Sequence, residues 1–352
     1  MVVNEAALPL PWLAAPLADV LAMPPHHALL VHGAAGSGLF EFADGLVAAQ
    51  LCEADAATAR PCGRCPGCHL RQAGHHPDLR RLVPAALLTS LGLADAAEEG
   101  ADTKASKAKP SREIKVEAVR EAIGWTQQSS SRGRGKWLLL HPAEALNLVA
   151  ANALLKTLEE PPPGVRLLLT SAEPDRLLPT VRSRCRRLAL AAPAAEPALA
   201  WLRGQGVDCP EVLLRAAGGQ PLLARSMAAE GVQSAHWLAL PGAVAAGDAG
   251  PMAGWPLPRA VEALQKLCHD AMATAVGAAP RYFPADRLPA TDGLAPLAAW
   301  SKVLREAARH DEHPWQAGLL VESLVLQSAP AWARRRAAGP SRGGRATTLA
   351  GR

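Results

Sequence analysis

The chain is poor in aromatic residues and in long apolar runs. Its 352 residues include one tyrosine, three phenylalanines and nine tryptophans, and no basic patch is interleaved with rings, as a module that stacks nucleic-acid bases requires. No stretch approaches the roughly eighteen consecutive apolar residues of a membrane-spanning helix. The opening MVVNEAALPLPWL also lacks the basic start, apolar core and cleavage site of a secretory signal. A cytoplasmic location is the expectation. Excess positive charge is missing from the body as well. The formal charge is +5, but residues 334–352 carry six arginines and no acid, which leaves the remainder near −1. Any affinity for phosphate backbones from net charge would reside in that tail. At 49% hydrophobic and 20% charged, the chain can bury a substantial core in two or three domains, which excludes a disordered scaffold.

Two chemical groups are missing where the spacing calls for them. The apolar run Ala28–Val31 leads into HGAAGSGLFE (32–41), where Gly33 and Gly38 have the separation of a phosphate-binding P-loop, G-x-x-x-x-G-K-[ST]. Leu39 stands where a lysine reaches the β- and γ-phosphates, and Phe40 where a hydroxyl holds Mg²⁺. Downstream, KWLLL (136–140) reads as a buried strand. In an active site of this kind it ends in an acidic pair that holds the metal's water shell and orients the attacking water; here it ends in His141-Pro142. Imidazole is a poor partner for Mg²⁺, and proline offers no base. Glu144 follows and reads as a helix-start acid favoured by the dipole. Both halves of a hydrolytic machinery are absent together, the pattern of a fold kept for another purpose.

Cysteine, by contrast, is concentrated. Cys52 is followed by Cys62, Cys65 and Cys68 in the run CGRCPGC. Four thiolates close a tetrahedral site around Zn²⁺, and such a site has no open position for a catalytic water, so the metal is expected to be structural. A redox dithiol or a set of unliganded thiols is the other reading, although nothing nearby resembles a thioredoxin-type unit. His69, His75 and His76 are competing ligands, set aside because the sulfurs already complete the set. Cys209 and Cys268 read as small buried hydrophobes.

The remaining pattern gives the fold class. Residues 28–50 read as strand, glycine loop and helix. Leu146–Glu159 shows a helical stripe at Leu146, Val149, Ala153, Leu154 and Leu158 that stops at PPPG, and 165–170 reads as another strand. This alternation predicts a parallel sheet with helices on both faces. Residues 90–112 read as a flexible surface insertion. After Leu190 strand character disappears. The expected division is an α/β domain at 1–190 with a cysteine module at 52–80, a small helical domain at 191–240, a larger helical domain at 241–333, and a disordered basic tail at 334–352.

The segments HHALLVHGAAGSG, CGRCPGC with the following GHHPD, ANALLKTLEEPP (151–162), RLLLTSAEP, and LLPTVRSRCRRL with its Ser183-Arg184-Cys185 triplet occur in a specific order. From His26 to Ala192 the chain resembles the bacterial clamp-loader subunits of DNA polymerase III, members of the AAA+ superfamily. The resemblance implies an α/β AAA+ P-loop domain with a zinc-module insertion, then a small helical lid and an all-α collar that oligomerises. It implies gamma/tau and delta subunits as partners, with a sliding clamp and primed DNA reached through the complex, no membrane and no small-molecule substrate. Hydrolysing members keep the lysine, the acidic pair and a sensor arginine in the second domain. Here Leu222, in AGGQPLLA (217–224), stands at the sensor position. The implied protein is therefore a non-hydrolysing subunit of the polymerase holoenzyme. Gly33, Gly38, Leu39 and Phe40 form a degenerate loop that binds no ATP productively, and Arg184 is an arginine finger directed in trans at a neighbour's ATP. The plainer reading of Arg184 is a structural or solvated arginine beside Arg182, Arg186 and Arg187. Two rival functions are an active gamma-like ATPase, opposed by Leu39 and His141-Pro142, and a zinc-dependent nucleic-acid-binding protein, opposed by the sparse aromatics and near-neutral body.

Overall fold

In a computed structural model the described residues are 10–55, 60–93, 110–309 and 316–333. The basic tail and residues 94–109 of the expected insertion lie outside them. The chain divides into two compact units, Met1–Ser226 and Met227–Arg352, so the boundary falls inside the 191–240 segment.

The first unit is built on five parallel strands: β1 (Ala28–His32), β2 (Leu79–Leu82), β3 (Lys136–Leu140), β4 (Val165–Ser171) and β5 (Arg186–Ala189). Their order is β2-β3-β4-β1-β5. The helices of this unit are α1 (Ala14–Ala22), α2 (Leu39–Leu51), α3 (Pro66–Gln72), α4 (Ala85–Leu88), α5 (Val116–Thr126), α6 (Leu148–Glu159), α7 (Pro179–Arg182), α8 (Ala195–Gly204) and α9 (Pro210–Ala216), with α10 (Pro221–Ala229) crossing the unit boundary.

Side chains along β3 alternate between the faces, as a pleated strand requires. Trp137 and Leu139 join the cluster under α1 and α2, with Leu13, Leu17, Phe42 and Leu46. Leu138 and Leu140 join the opposite cluster under α5 and α6, with Val119, Leu154 and Leu158. Both faces are covered, which explains why KWLLL is apolar throughout rather than alternating. The expected sheet with helices on both faces is therefore present.

The helix predicted from Leu146 begins at Leu148. Asn147 caps it, its side-chain oxygen accepting from the Ala150 N–H at 2.9 Å. Val149, expected on the buried stripe, is 55% exposed. The inward face instead carries Ala150, Ala151, Leu154, Thr157 and Leu158. Cys209 also departs from expectation. It is exposed because it occupies the N-cap of α9 ahead of Pro210, in a left-handed conformation with φ 45°. Cys268 is buried as expected.

The second unit holds α11 (Ser234–Ala245), α12 (Leu257–Ala275), α13 (Leu294–Arg309) and α14 (Ala317–Leu326). Its core stacks Trp237 on Phe283 with ring centroids 4.6 Å apart. Fully buried Asp270 accepts backbone N–H groups from Arg281, Tyr282 and Phe283 at 2.9, 2.7 and 2.8 Å. That carboxylate fixes the turn that presents Phe283. Among the described residues no helix is long and apolar enough to cross a membrane.

Candidate functional site

Because the strands are parallel, their carboxyl ends share one edge, where open α/β sheets place their ligands. The glycine loop leaves β1 at that edge. Gly38 takes φ 102°, and a Cβ there would lie 2.7 Å from Leu10 Cδ1, while one on Gly33 would lie 2.5 Å from the Leu190 carbonyl oxygen. Glycine is thus required at both ends of the loop whether or not a phosphate is ever bound.

The two positions where chemistry was missed are filled with core. Leu39 and Phe40 are 6% and 8% exposed and pack into the cluster with Leu10, Leu13 and Leu17. Full burial of such side chains stabilises by about 1.5–3 kcal/mol each, so the first turn of α2 contributes to folding. The start of α10 lies over the loop, with the Leu222 N–H donating to the Gly36 carbonyl at 3.2 Å. Trp12 Nε1 donates to the Ser37 carbonyl at 2.9 Å from the other side.

At the end of β3, the His141 ring stands 5.1 Å from that of Phe40, tilted by 55°. Its Nδ1 is 2.7 Å from Thr170 Oγ1, and that hydroxyl donates onward to the Leu140 carbonyl at 3.3 Å. The hydroxyl proton being so used, Nδ1 carries the hydrogen and the imidazole is neutral. Burial lowers its pKa to about 4. Glu144 lies in a short 3₁₀ turn, Ala143–Ala145, and its Oε1 accepts the Ala172 N–H at 3.0 Å. It ties down the chain leaving β4, a link that sequence reading missed because its partner is distant in the chain.

The four cysteines come together. The Sγ atoms of Cys52, Cys62, Cys65 and Cys68 all lie within 4.8 Å of one another, with Cys52–Cys65 at 3.9 Å and Cys62–Cys68 at 4.0 Å. A tetrahedron with Zn–S bonds of about 2.3 Å has edges of about 3.8 Å, so this set fits such an ion. Backbone N–H groups of Glu53, Cys62, Cys65 and Cys68 point at the sulfurs at 3.3–3.4 Å, as stabilised thiolates require. The Arg64 backbone N–H leads in bringing Cys62 down to about 6, whereas burial pushes Cys68 up to about 12. Among the described residues no histidine joins the group; His76 Nδ1 instead accepts the Asp78 N–H at 3.1 Å. Asp44 on α2 pins the module, paired with Arg71 of α3 and with Arg81 of β2 at 2.7 Å. Nothing in the spacing around Asp44 marks this role.

Arg184 follows α7 at the surface. Its Nε donates to Glu159 Oε1 at 2.7 Å, and Nη1 donates to the Thr180 carbonyl at 2.9 Å. The neighbouring Cys185 is buried in the core cluster and anchors the triplet, so Arg184 turns outward. Glu159 belongs to the LEEPP stop of α6, which links two motifs that are separate in sequence.

A family profile described as DNA polymerase III, delta subunit, matches residues 22–194. The delta-prime subunit of DNA polymerase III from Pseudomonas aeruginosa is 40% identical over 211 residues, covering 59% of this chain and 57% of the relative. The Escherichia coli delta-prime subunit is 37% identical over 191 residues, covering 54% and 50%. The Escherichia coli tau subunit is 34% identical over 160 residues, covering 46% and 21%. The chain spans about half the length of the delta-prime relatives it matches. Over residues 22–194 the chain is similar to the delta and delta-prime subunits of DNA polymerase III.

Proposed function

We propose that this chain is the non-hydrolysing, delta-prime-type subunit of a clamp loader, a ring in which gamma/tau and delta subunits use ATP to place a sliding clamp on primed DNA. One observation carries the non-hydrolysing part of this reading: the residues at the lysine and hydroxyl positions, Leu39 and Phe40, are core side chains, and Phe40 packs on His141 where an acid would serve. The surfaces that would cradle phosphate and Mg²⁺ are given over to packing. No intrinsic ATPase is expected.

Arg184 would contribute what this subunit still can. A guanidinium presented by one subunit to the γ-phosphate of its neighbour stabilises charge as it shifts in the transition state. Its ion pair with Glu159 is partly exposed, at 32% and 47%, so it is weak enough to be exchanged for a phosphate oxygen. The residues fit a Zn²⁺ that would be held by Cys52, Cys62, Cys65 and Cys68 as an architectural staple of the module against α2. We assign the lid to 191–240 and the collar to 241–333, the latter holding the chain in the ring.

The test is gel filtration of the purified chain with the gamma/tau and delta subunits of the same source, followed by a steady-state ATPase assay on each species. The expected result is co-elution, with turnover in the complex and none in the isolated chain. A chain that elutes alone, or that hydrolyses ATP by itself, overturns the reading.

A further inference from the structure

At the amino ends of the strands, on the opposite edge from the glycine loop, a cavity of about 350 Å³ opens beneath the carboxyl ends of α1 and α2. Its volume lies at the lower end of the range for ligand pockets. Leu29, Leu46 and Leu188 give it an apolar floor, and Arg60, Arg166 and Arg186 stand around it, with no aspartate or glutamate in the lining; Leu167 packs in the opposite cluster, and Arg187 alternates to that same face. Arg60, Arg166 and Arg186 come from three separate parts of the fold: the cysteine loop, β4 and β5.

The charge is not neutralised. Arg60 donates to the Ala54 carbonyl at 3.1 and 2.6 Å, Arg166 to Gln50 Oε1 at 3.2 Å, and Arg186 to Met23 Sδ at 3.3 Å. All three partners are neutral, and among the described residues no carboxylate forms an ion pair with any of the three arginines. Three guanidinium groups around an apolar cavity with no carboxylate among them favour an anion supplied from outside. Burial by itself lowers the pKa of Arg166.

The shape of the site selects among anions. The Arg166 guanidinium already covers the Trp137 ring, 5.3 Å from its centroid, so that ring offers no free face to a nucleobase. An apolar floor is of no use to a sugar–phosphate backbone but suits a leucine or phenylalanine side chain, and arginine forks match carboxylates in bidentate geometry. We propose that this cavity is a docking site for an acidic peptide segment of a partner protein, an apolar side chain entering between Leu29, Leu46 and Leu188 while flanking carboxylates pair with Arg60, Arg166 and Arg186. The proposal is independent of the clamp-loader reading, because it uses the edge of the sheet away from the glycine loop and from Arg184.

The experiment titrates the full chain against a fluorescein-labelled hexapeptide in which aspartates flank a leucine–phenylalanine pair. Binding is read by anisotropy and by the NMR shift of the Met23 methyl group, which lies in the cavity wall. The expected result is saturable binding that moves the Met23 signal. It should weaken by about tenfold or more in the Arg60→Gln/Arg186→Gln double variant, neither position being buried. Asparagine in place of each peptide aspartate, or alanine in place of the leucine–phenylalanine pair, should produce comparable losses. Retained affinity in the double variant, equal binding of the asparagine peptide, or a stationary Met23 signal overturns the proposal. So does tighter, arginine-dependent binding of an oligothymidylate at the same signal, which would assign the cavity to nucleic acid. Circular dichroism melts of the double variant separate a lost site from a lost fold.

Discussion

The Phe40 ring rests against the His141 imidazole, 5.1 Å between centroids. In this contact the residue at the metal-ligand position of the glycine loop packs directly on the residue at the acidic position of β3. The two departures from a hydrolytic site are therefore one packing arrangement, and a single reversion should not undo it.

Leu39→Lys is accordingly expected to give no ATP turnover in the isolated chain, measured by phosphate release. The lysine would enter the cluster containing Leu10, Leu13 and Leu17. Moving an ammonium group there costs stability, on the order of a few kcal/mol, and a lowered melting temperature should accompany the absent activity. Robust hydrolysis by this variant would mean that Phe40 and His141 do not block the site.

His141 gives a pH signature. Its folded pKa of about 4 lies below the unfolded value of about 6.5, so between these limits the unfolded chain binds more protons and stability rises with pH. The contribution is fully present above pH ~6.5 and is lost as pH falls toward ~4, up to about 3 kcal/mol in all. Urea denaturation across this window should show the loss, and His141→Asn, whose amide can replace the Nδ1–H donor, should flatten it. An unchanged pH dependence in that variant would show that other groups carry the effect.

The cysteine cluster predicts about one zinc per chain by elemental analysis of protein purified without chelator. Cys65→Ser removes the sulfur that accepts from both Glu53 and Cys68, and the metal should be lost with it. Proteolysis should then open the 52–80 segment first, while the sheet, with its own core, persists. Full zinc retention in this variant would refute the four-sulfur site.

Arg184→Ala, reconstituted with partner subunits, should assemble normally yet slow the single ATP site that faces this subunit. Arginine fingers contribute about 10³–10⁵ in GTPase turnover. Total ATPase would fall only in part because the other sites remain, and clamp loading should fall further if the sites fire together. Arg184→Lys should not restore the rate, since a point charge lacks the planar fork. Arg182→Ala is the control for nearby charge, its partner being Asp175. Wild-type rates for Arg184→Ala in an intact ring would leave the residue a structural role only.

What the sequence determined by itself was chemistry that depends on residue type at short spacing. The x₂ separations of Cys62, Cys65 and Cys68 bring thiols together through local backbone geometry, and Leu39 and Phe40 supply neither the ammonium nor the hydroxyl of a hydrolytic loop. KWLLL marked a doubly covered strand for the same local reason. Strand β2, LRRL, and edge strand β5, RRLA, gave no such signal, because paired arginines are held extended by neighbouring strands rather than by apolar patterning. Only the tertiary structure decided relationships between distant positions: Val149 facing solvent, Leu222 over Gly36, Asp44 joining Arg71 to Arg81, Glu159 holding Arg184. It alone gathered Arg60, Arg166 and Arg186 around one cavity. The physical reason is that a parallel sheet with crossover connections places the ends of strands far apart in sequence side by side, so charge that is dilute along the chain becomes concentrated in space.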